Sequence, residues 1–166
     1  MSPAGPRPLA PDSATYRTVL GHFATGVVLV TAMEGAEPVG MACNSFTSVS
    51  LDPQLVLFCA AKSSSTWPRI QAAKNWCANI LAEEGEEVCR LFAQKGADRF
   101  AHIAYTAGRS GAPVLEDAIA YVDCETVDEH DAGDHIIVVG RVLELGYAAE
   151  GKPLLFYRGG YGRFEV

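Results

Sequence analysis

The sequence predicts a mainly β fold, an antiparallel barrel with a few short peripheral helices. Three observations point there. Short runs rich in β-branched, apolar residues, bounded by turn residues, recur along most of the chain. Hairpin-type connections outnumber strand–helix–strand crossovers, which disfavours a parallel sheet. Residues 121–130 and 135–146 read as one long hairpin, joined by the strong turn sequence Asp131-Ala132-Gly133-Asp134. A chain of 166 residues suffices for one domain with a substantial core. The expected organisation is a flexible segment over residues 1–11, then the domain over 12–166.

Each element has a local reason. Residues 1–11 hold Pro3, Pro6, Pro8 and Pro11, one arginine and no apolar stretch, so they read as a lead-in and not a signal peptide. Asp12 or Ser13 caps a short helix to about Gly21, with Tyr16, Val19 and Leu20 on one face. Residues 27–32 form a β-branched strand, and Glu34-Gly35 turns the chain. A polar strand over 40–50 follows, then an Asp52-Pro53 turn and an apolar strand at 55–61. Ser64, Ser65 or Thr66 can cap the next helix, which takes Pro68 in its first turn and ends near Lys74. Residues 76–82 are a strand. The acidic residues of 83–87 suit the positive end of a helix running to about Lys95. Residues 97–115 are mostly loop, broken by Gly108, Gly111 and Pro113. After the long hairpin come a last strand at 154–157 and a glycine-rich tail, Gly159-Gly160-Tyr161-Gly162.

Composition excludes several function classes. The net charge of −7, with no Lys/Arg cluster, argues against general nucleic-acid binding. The longest apolar run, residues 55–61, is far too short to cross a bilayer. Cys43, Cys59, Cys77, Cys89 and Cys124 are odd in number and lack CxxC spacing, so they read as reduced, mostly buried thiols of a cytoplasmic protein. His130 and His135 have no evident third partner, so no metal site is expected. Gly160-Tyr161-Gly162 lacks the third glycine and the following helix of a dinucleotide fingerprint, and the Walker A, GxSxG and HExxH motifs do not occur.

The most informative stretch runs from Gly40 to Ser50. A core strand would bury Val, Ile or Leu there. This one presents Asn44, Ser45, Thr47, Ser48 and Ser50, an amide and hydroxyls suited to a planar polar ligand, or else an exposed edge strand. Thr25-Gly26-Val27 adds a hydroxyl beside a glycine that permits close approach, or simply turns a helix into a strand. Between Lys62 and Arg69, three serines and a threonine precede a helix start: a natural phosphate seat or an ordinary cap. Gly133-Asp134-His135 places a histidine at a strand entrance, to stack on a ring, donate to a carbonyl, or merely accompany the turn. Tyr157-Arg158-Gly159-Gly160-Tyr161 could close over a ligand.

In this order the pieces resemble the short-chain flavin reductase family, split-barrel reductases that serve two-component flavin monooxygenases. The matching residues are Phe23-Ala24-Thr25-Gly26-Val27-Val28-Leu29-Val30-Thr31, the stretch from Gly40 to Ser50, Asp52-Pro53, Ser65-Thr66, Asn79-Ile80-Leu81, Asp98-Arg99-Phe100 and Gly133-Asp134-His135. Gln54 stands where the family often has a second proline, and Ala42-Cys43 where Thr and a small residue are frequent. The resemblance covers about residues 12–165.

It implies a Greek-key split barrel, usually a homodimer, that uses FMN or FAD together with NADH or NADPH. The isoalloxazine would lie along Asn44, Ser45, Phe46, Thr47, Ser48 and Ser50, near Thr25, Gly26 and Val27, with Ala60 in the same set. Lys62, Ser65 and Thr66 would hold the phosphate or ribityl chain, and Arg99 and Phe100 would close that end. His135 would sit beside the nicotinamide, with Tyr157 and Arg158 nearby. Hydride transfer needs the two rings stacked at about 3–3.5 Å and no protein nucleophile. The implied partner is a monooxygenase that receives diffusible reduced flavin; no nucleic acid or membrane is implied. Three alternatives stay open: a non-catalytic flavin-binding electron carrier, a small interaction domain with no ligand, and a pyridoxamine-phosphate-oxidase-like barrel, against which the Gly133-Asp134-His135 hairpin speaks.

Overall fold

A computed structural model describes residues 5–96 and 98–165. In chain order the elements are α1 (Ser13–Leu20), β1 (Thr25–Gly26), β2 (Val28–Glu34), β3 (Glu37–Cys43), β4 (Thr47–Leu51), β5 (Gln54–Ala61), α2 (Trp67–Ala73) and β6 (Asn75–Leu81). A single 3-10 turn at Glu83–Gly85 leads into α3 (Glu86–Ala93). Then come β7 (Tyr105–Ala107), β8 (Pro113–Leu115), β9 (Ala118–Ala132), β10 (His135–Tyr147), β11 (Leu154–Tyr157) and β12 (Gly160–Arg163). Seven strands form one antiparallel sheet in the order β3-β2-β6-β9-β10-β5-β4. β1, β11 and β12 form a second sheet, and β7 pairs with β8.

β3 and β4 are consecutive in sequence yet occupy opposite edges of the large sheet. Asn44, Ser45 and Phe46 alone separate them, a reach of about 14 Å at full extension. Laid flat, the six strand spacings would measure about 29 Å. The sheet must therefore curl until its edges face each other, and it becomes a barrel with a seam. Ser45 fastens the crossing: its Oγ accepts from the Cys59 backbone N–H at 2.9 Å and donates to the Cys59 carbonyl at 3.3 Å.

Inward-facing alternate residues fill the barrel: Val28, Val30 and Ala32 of β2, Val56, Phe58 and Ala60 of β5, Trp76 and Ala78 of β6, and Val138 of β10. Trp67 and Ile70 of α2 plug one end. Phe58 meets Trp76 edge-on at 4.8 Å and Trp67 at 6.0 Å. A second core lies outside the barrel, where Leu29, Leu81, Cys89, Phe92, Leu115 and Leu154 pack α3, β8 and β11 onto the sheet. β2 thus has apolar neighbours on both faces, which explains its unbroken apolar run. Asn79 joins the two layers: its amide nitrogen donates to the Leu29 carbonyl at 3.1 Å and its oxygen accepts from Leu115 N–H at 2.8 Å.

The mainly β antiparallel barrel, α1 and the strand at 154–157 match the sequence reading. Asp12 caps α1, accepting from Thr15 N–H at 2.9 Å. At α2 the capping oxygen is that of Ser64, which accepts from Thr66 and Trp67 N–H, each at 3.2 Å. Other expectations are corrected. The stretch 40–50 is two strands, not one, because the chain crosses the seam in its middle. The helix expected from 83 to 95 is α-helical only over Glu86–Ala93. Residues 97–115 contain the β7–β8 hairpin. The glycine-rich tail is a strand: Arg158 and Gly159 take left-handed φ of 51° and 80°, as a tight hairpin turn demands, and fold β12 back on β11. The long hairpin turns through Gly133-Asp134 alone. Tyr16, Val19 and Leu20 do share α1, but none is buried in this chain. Of the lead-in, residues 1–4 lie outside the described residues, and 5–11 form neither helix nor strand.

Trp76 reaches the barrel centre because β10 carries no side chain beside it at Gly140. A Cβ there would lie 2.4 Å from Trp76 Cζ2 and 3.0 Å from Cys124 Cβ. Gly140→Ala is expected to destabilise the fold by about 1–3 kcal/mol through overpacking, read as a lower urea midpoint at unchanged slope.

Candidate functional site

A groove follows the edge strand β3 and divides into three adjoining cavities. The inner cavity, about 200 Å³, is lined by Val27, Cys43, Asn44, Cys89, Phe156 and Tyr161 among others. The middle cavity, about 450 Å³, runs past Met41, Ser63, Ser64, Phe92 and Lys95, and it shares Ala42 and Ala93 with the inner one. The outer chamber, about 580 Å³, lies between Glu37, Pro38, Val39, Arg69 and Phe100. Ser65, Thr66, Gly96 and Arg99 line both the middle and outer cavities, so they mark the junction. α3 of the second core supplies one wall, and the loop leading into α2 supplies the other.

Charge is distributed unevenly along this groove. Lys62 Nζ is held by Asp131 at 2.8 and 2.9 Å, and Arg69 is held by Glu34 at 2.5 Å and Glu37 at 3.1 Å. Arg99 instead donates to neutral acceptors: the Gly40 carbonyl at 3.1 Å, Thr66 Oγ1 at 3.3 Å and the Gln94 carbonyl at 2.6 Å. Among the described residues no carboxylate pairs with Arg99. Its charge, with the Ser65 and Thr66 hydroxyls, therefore marks the junction as a place for an anion. The α2 N-terminus contributes less than the sequence suggested, because Ser64 already occupies two of its N–H groups.

The inner end is neutral. Burial pushes the Cys43 thiol up to about 11. Burial, then the hydrogen bond to Cys89, pushes the Tyr161 phenol up to about 12. Cys89 is also raised by burial, and its Sγ lies 3.1 Å from Tyr161 Oη. At neutral pH these walls are uncharged and carry no thiolate. Thr25, paired with Phe156, has a buried hydroxyl with no hydrogen-bond partner, the one such side-chain oxygen among the described residues. A neutral ring end and an uncompensated arginine farther along fit a flavin bearing a phosphate.

A protein-family model described as a flavin reductase like domain matches residues 20–165. The chain belongs to the flavin reductase-like family. It is 44% identical over 154 residues to the reductase subunit HsaB of a flavin-dependent monooxygenase from Rhodococcus jostii, covering 93% of this chain and 79% of that protein. A flavin reductase from Pseudomonas putida is 46% identical over 156 residues, covering 93% and 92%. The structure of the NADH:FAD oxidoreductase SgcE6 from Streptomyces globisporus superposes with a TM-score of 0.90 at 35% identity, covering 98% of this chain and all of that one. The Greek-key split barrel implied by the resemblance is the fold observed.

The sequence candidates scatter more than their order suggested. Val27 and Asn44 line the inner cavity, Ser65, Thr66 and Arg99 the junction, and Phe100 the outer chamber. Thr25 and Gly26 lie one strand away, paired with Phe156 and Leu155. His135 stands at the mouth of the long hairpin, paired with Ala61, with Nδ1 bound to Asp134 at 2.6 Å. Ser45 spends its hydroxyl on Cys59, and Phe46 packs against the barrel core. Thr47, Ser48 and Ser50 sit on β4 and line none of the three cavities. Ala60 is fully buried inside the barrel, and Lys62 is turned to Asp131. Tyr157 ends β11 and Arg158 opens the β11–β12 turn against the end of α1, where Arg158 N–H donates to the Gly21 carbonyl at 2.9 Å. Tyr161, read as able to close over a ligand, lines the inner cavity, whereas sequence reasoning missed the walls made by Cys89, Ala93 and Phe156. The helical spacing of Cys89, Phe92 and Ala93 was the available signal.

Cys43, Cys124 and Tyr161 titrate at about 11, 12 and 12 when folded, against ordinary values of 9.0, 9.0 and 10.0. The unfolded chain thus releases these protons first, and their contribution to stability, complete below about pH 9, is lost as pH rises toward 12. The melting temperature is expected to hold from about pH 7 to 8.5 and to fall steeply above about pH 10, in thermal melts across that range.

Proposed function

We propose that this chain is an NADH-dependent flavin reductase that reduces FMN or FAD in the β3 groove and supplies the reduced flavin to a partner monooxygenase. The observation that carries this reading is the junction of Ser65, Thr66 and uncompensated Arg99, placed along a groove whose other end is neutral and apolar. A bound flavin supplies the hydride-accepting centre. The chain binds, orients and shields. Asn44 and Val27 face the ring end, with Thr25 and Gly26 alongside; Ser65, Thr66 and Arg99 hold the phosphate. Of the polar stretch, Asn44 is the residue that the groove presents.

His135 is proposed to position the nicotinamide. Asp134 engages its Nδ1 and so fixes the ring, leaving Nε2 for a ligand carbonyl or ring. The membership of a family of monooxygenase reductases supports the oxygenase partner. A homodimer is supported by apolar side chains left in solvent, Val49 and Leu51 on β4 and Val127 on β9. A cytoplasmic location is supported by five unpaired thiols. Among the described residues no helix is long and apolar enough to cross a membrane.

Steady-state loss of NADH absorbance, with and without added FMN or FAD, tests the reading: oxidation should require flavin and saturate with it. Oxidation independent of flavin, or none despite flavin binding, would refute the reductase. Arg99→Ala should weaken FMN binding by roughly tenfold or more while hardly changing riboflavin, since the loss is one charge-assisted contact to phosphate. His135→Ala should raise KM for NADH by more than it raises the flavin Kd; an equal loss in both titrations would remove the assignment.

A further inference from the structure

The inner cavity, where the proposed function places the flavin ring, is walled without charge. No Lys, Arg, His, Asp or Glu among the described residues lines it. Cys43, Cys89 and Tyr161 do, and burial keeps a proton on each. Cys89 Sγ and Tyr161 Oη face each other at 3.1 Å, so one hydrogen is spent between them. Charge stands behind this wall and farther along. Arg90 lies over the Tyr161 ring at 5.0 Å, but Glu86 answers it at 2.7 Å. Lys95 and Arg99 line the middle cavity. Ala93 is the last residue of α3, at the helix end whose carbonyl oxygens disfavour an anion.

Reduction changes the charge of a flavin at this place. The oxidised ring is neutral. Hydride transfer from NADH brings it two electrons and one proton and releases NAD⁺, so the reduced ring is an anion. One further proton, taken from solvent, makes it neutral again, and in water that proton is lost near neutral pH. Surroundings that hold protons on two thiols and a phenol penalise a negative ring in the same way, because burial favours the neutral form of each. The phosphate is common to both redox states, so Arg99 does not tell them apart.

We propose that the inner cavity sorts flavin by charge: it retains the neutral oxidised ring and rejects the anionic reduced ring, so that reduction loosens the product for delivery to the partner. This rests on the flavin reading of the groove. Ala93 is the position where the sorting can be undone. It is exposed and lines both the inner and the middle cavities. A lysine suits a helix C-terminus, so the fold tolerates Ala93→Lys.

Anaerobic titration of the purified chain with oxidised FMN and with chemically reduced FMN, from about pH 6 to 8.5, tests the proposal by binding alone. The ratio of the reduced to the oxidised Kd cancels the titration of the phosphate, which both forms carry. That ratio should rise with pH by up to about tenfold per unit, the slope of one proton. Ala93→Lys should lower it several-fold at the alkaline end, and Ala93→Gln, of similar length but neutral, should leave it in place. A ratio near one at every pH, or a slope unmoved by Ala93→Lys, would overturn the proposal while leaving a flavin reductase intact. An equal lowering by Ala93→Gln would overturn it too, since bulk and not charge would then be acting. Should Ala93→Lys fail to fold, the slope in the unaltered chain decides alone. Absence of binding by oxidised FMN would overturn both this proposal and the reading beneath it.

Discussion

Three residues carry the chain from one edge of a seven-stranded sheet to the other, and this short span governs the rest of the molecule. Because Asn44, Ser45 and Phe46 cannot cross a flat sheet, the sheet closes. Closure creates an interior that needs filling, and Trp76, Phe58 and Trp67 fill it, with Gly140 left bare so that the largest ring fits. Closure also makes β3 an edge strand. An unpaired edge is ordinarily a hazard. Here α3, the α2 loop and β11 stand around it, and the edge becomes the floor of a groove.

The second core gives that groove its rigidity. Leu29, Leu81, Phe92 and Leu154 bind α3 and β11 to the outside of the barrel. The inner cavity is therefore bounded by packed side chains and not by mobile loops. Charge then assigns its parts. Lys62 is answered by Asp131, and Arg69 by Glu34 and Glu37. Arg99 is answered by carbonyls and a hydroxyl, which orient it without cancelling its charge. Burial keeps Cys43, Cys89 and Tyr161 protonated at the other end. A groove of this sort suits a molecule with a neutral ring at one end and phosphate farther along.

Much of this was legible in the residues. The Asp12 cap and the strand at 154–157 depend on neighbours within a few positions, and each formed where local chemistry placed it; the turn expected over Asp131–Asp134 narrows to its last two residues. Of Lys62, Ser65, Thr66, Arg99 and Phe100, which the family resemblance placed at one end of a site, all but Lys62 line the outer chamber. In the polar stretch, hydroxyls suited to a ligand also suit a seam: Ser45 closes the barrel, while Thr47 and Ser48 face solvent on β4. The glycine-rich tail looked like loop because its strand is short and its pairing with β11 needs Arg158 in a left-handed conformation that propensity disfavours.

By itself the sequence determined the local matters: where helices start, where hairpins turn, which faces are apolar, the acidic balance, and the reduced state of five thiols. These follow from capping, φ preference and alternation, which act over a few residues. Tertiary structure alone decided which cation stays uncompensated, which half of the polar stretch meets the groove, and that Val27, Asn44, Cys89 and Tyr161 share a cavity. Lys62 and Arg99 are equivalent charges in a sequence. They differ because folding brings Asp131 to one and carbonyls to the other, and a pairing between residues tens of positions apart has no local signature.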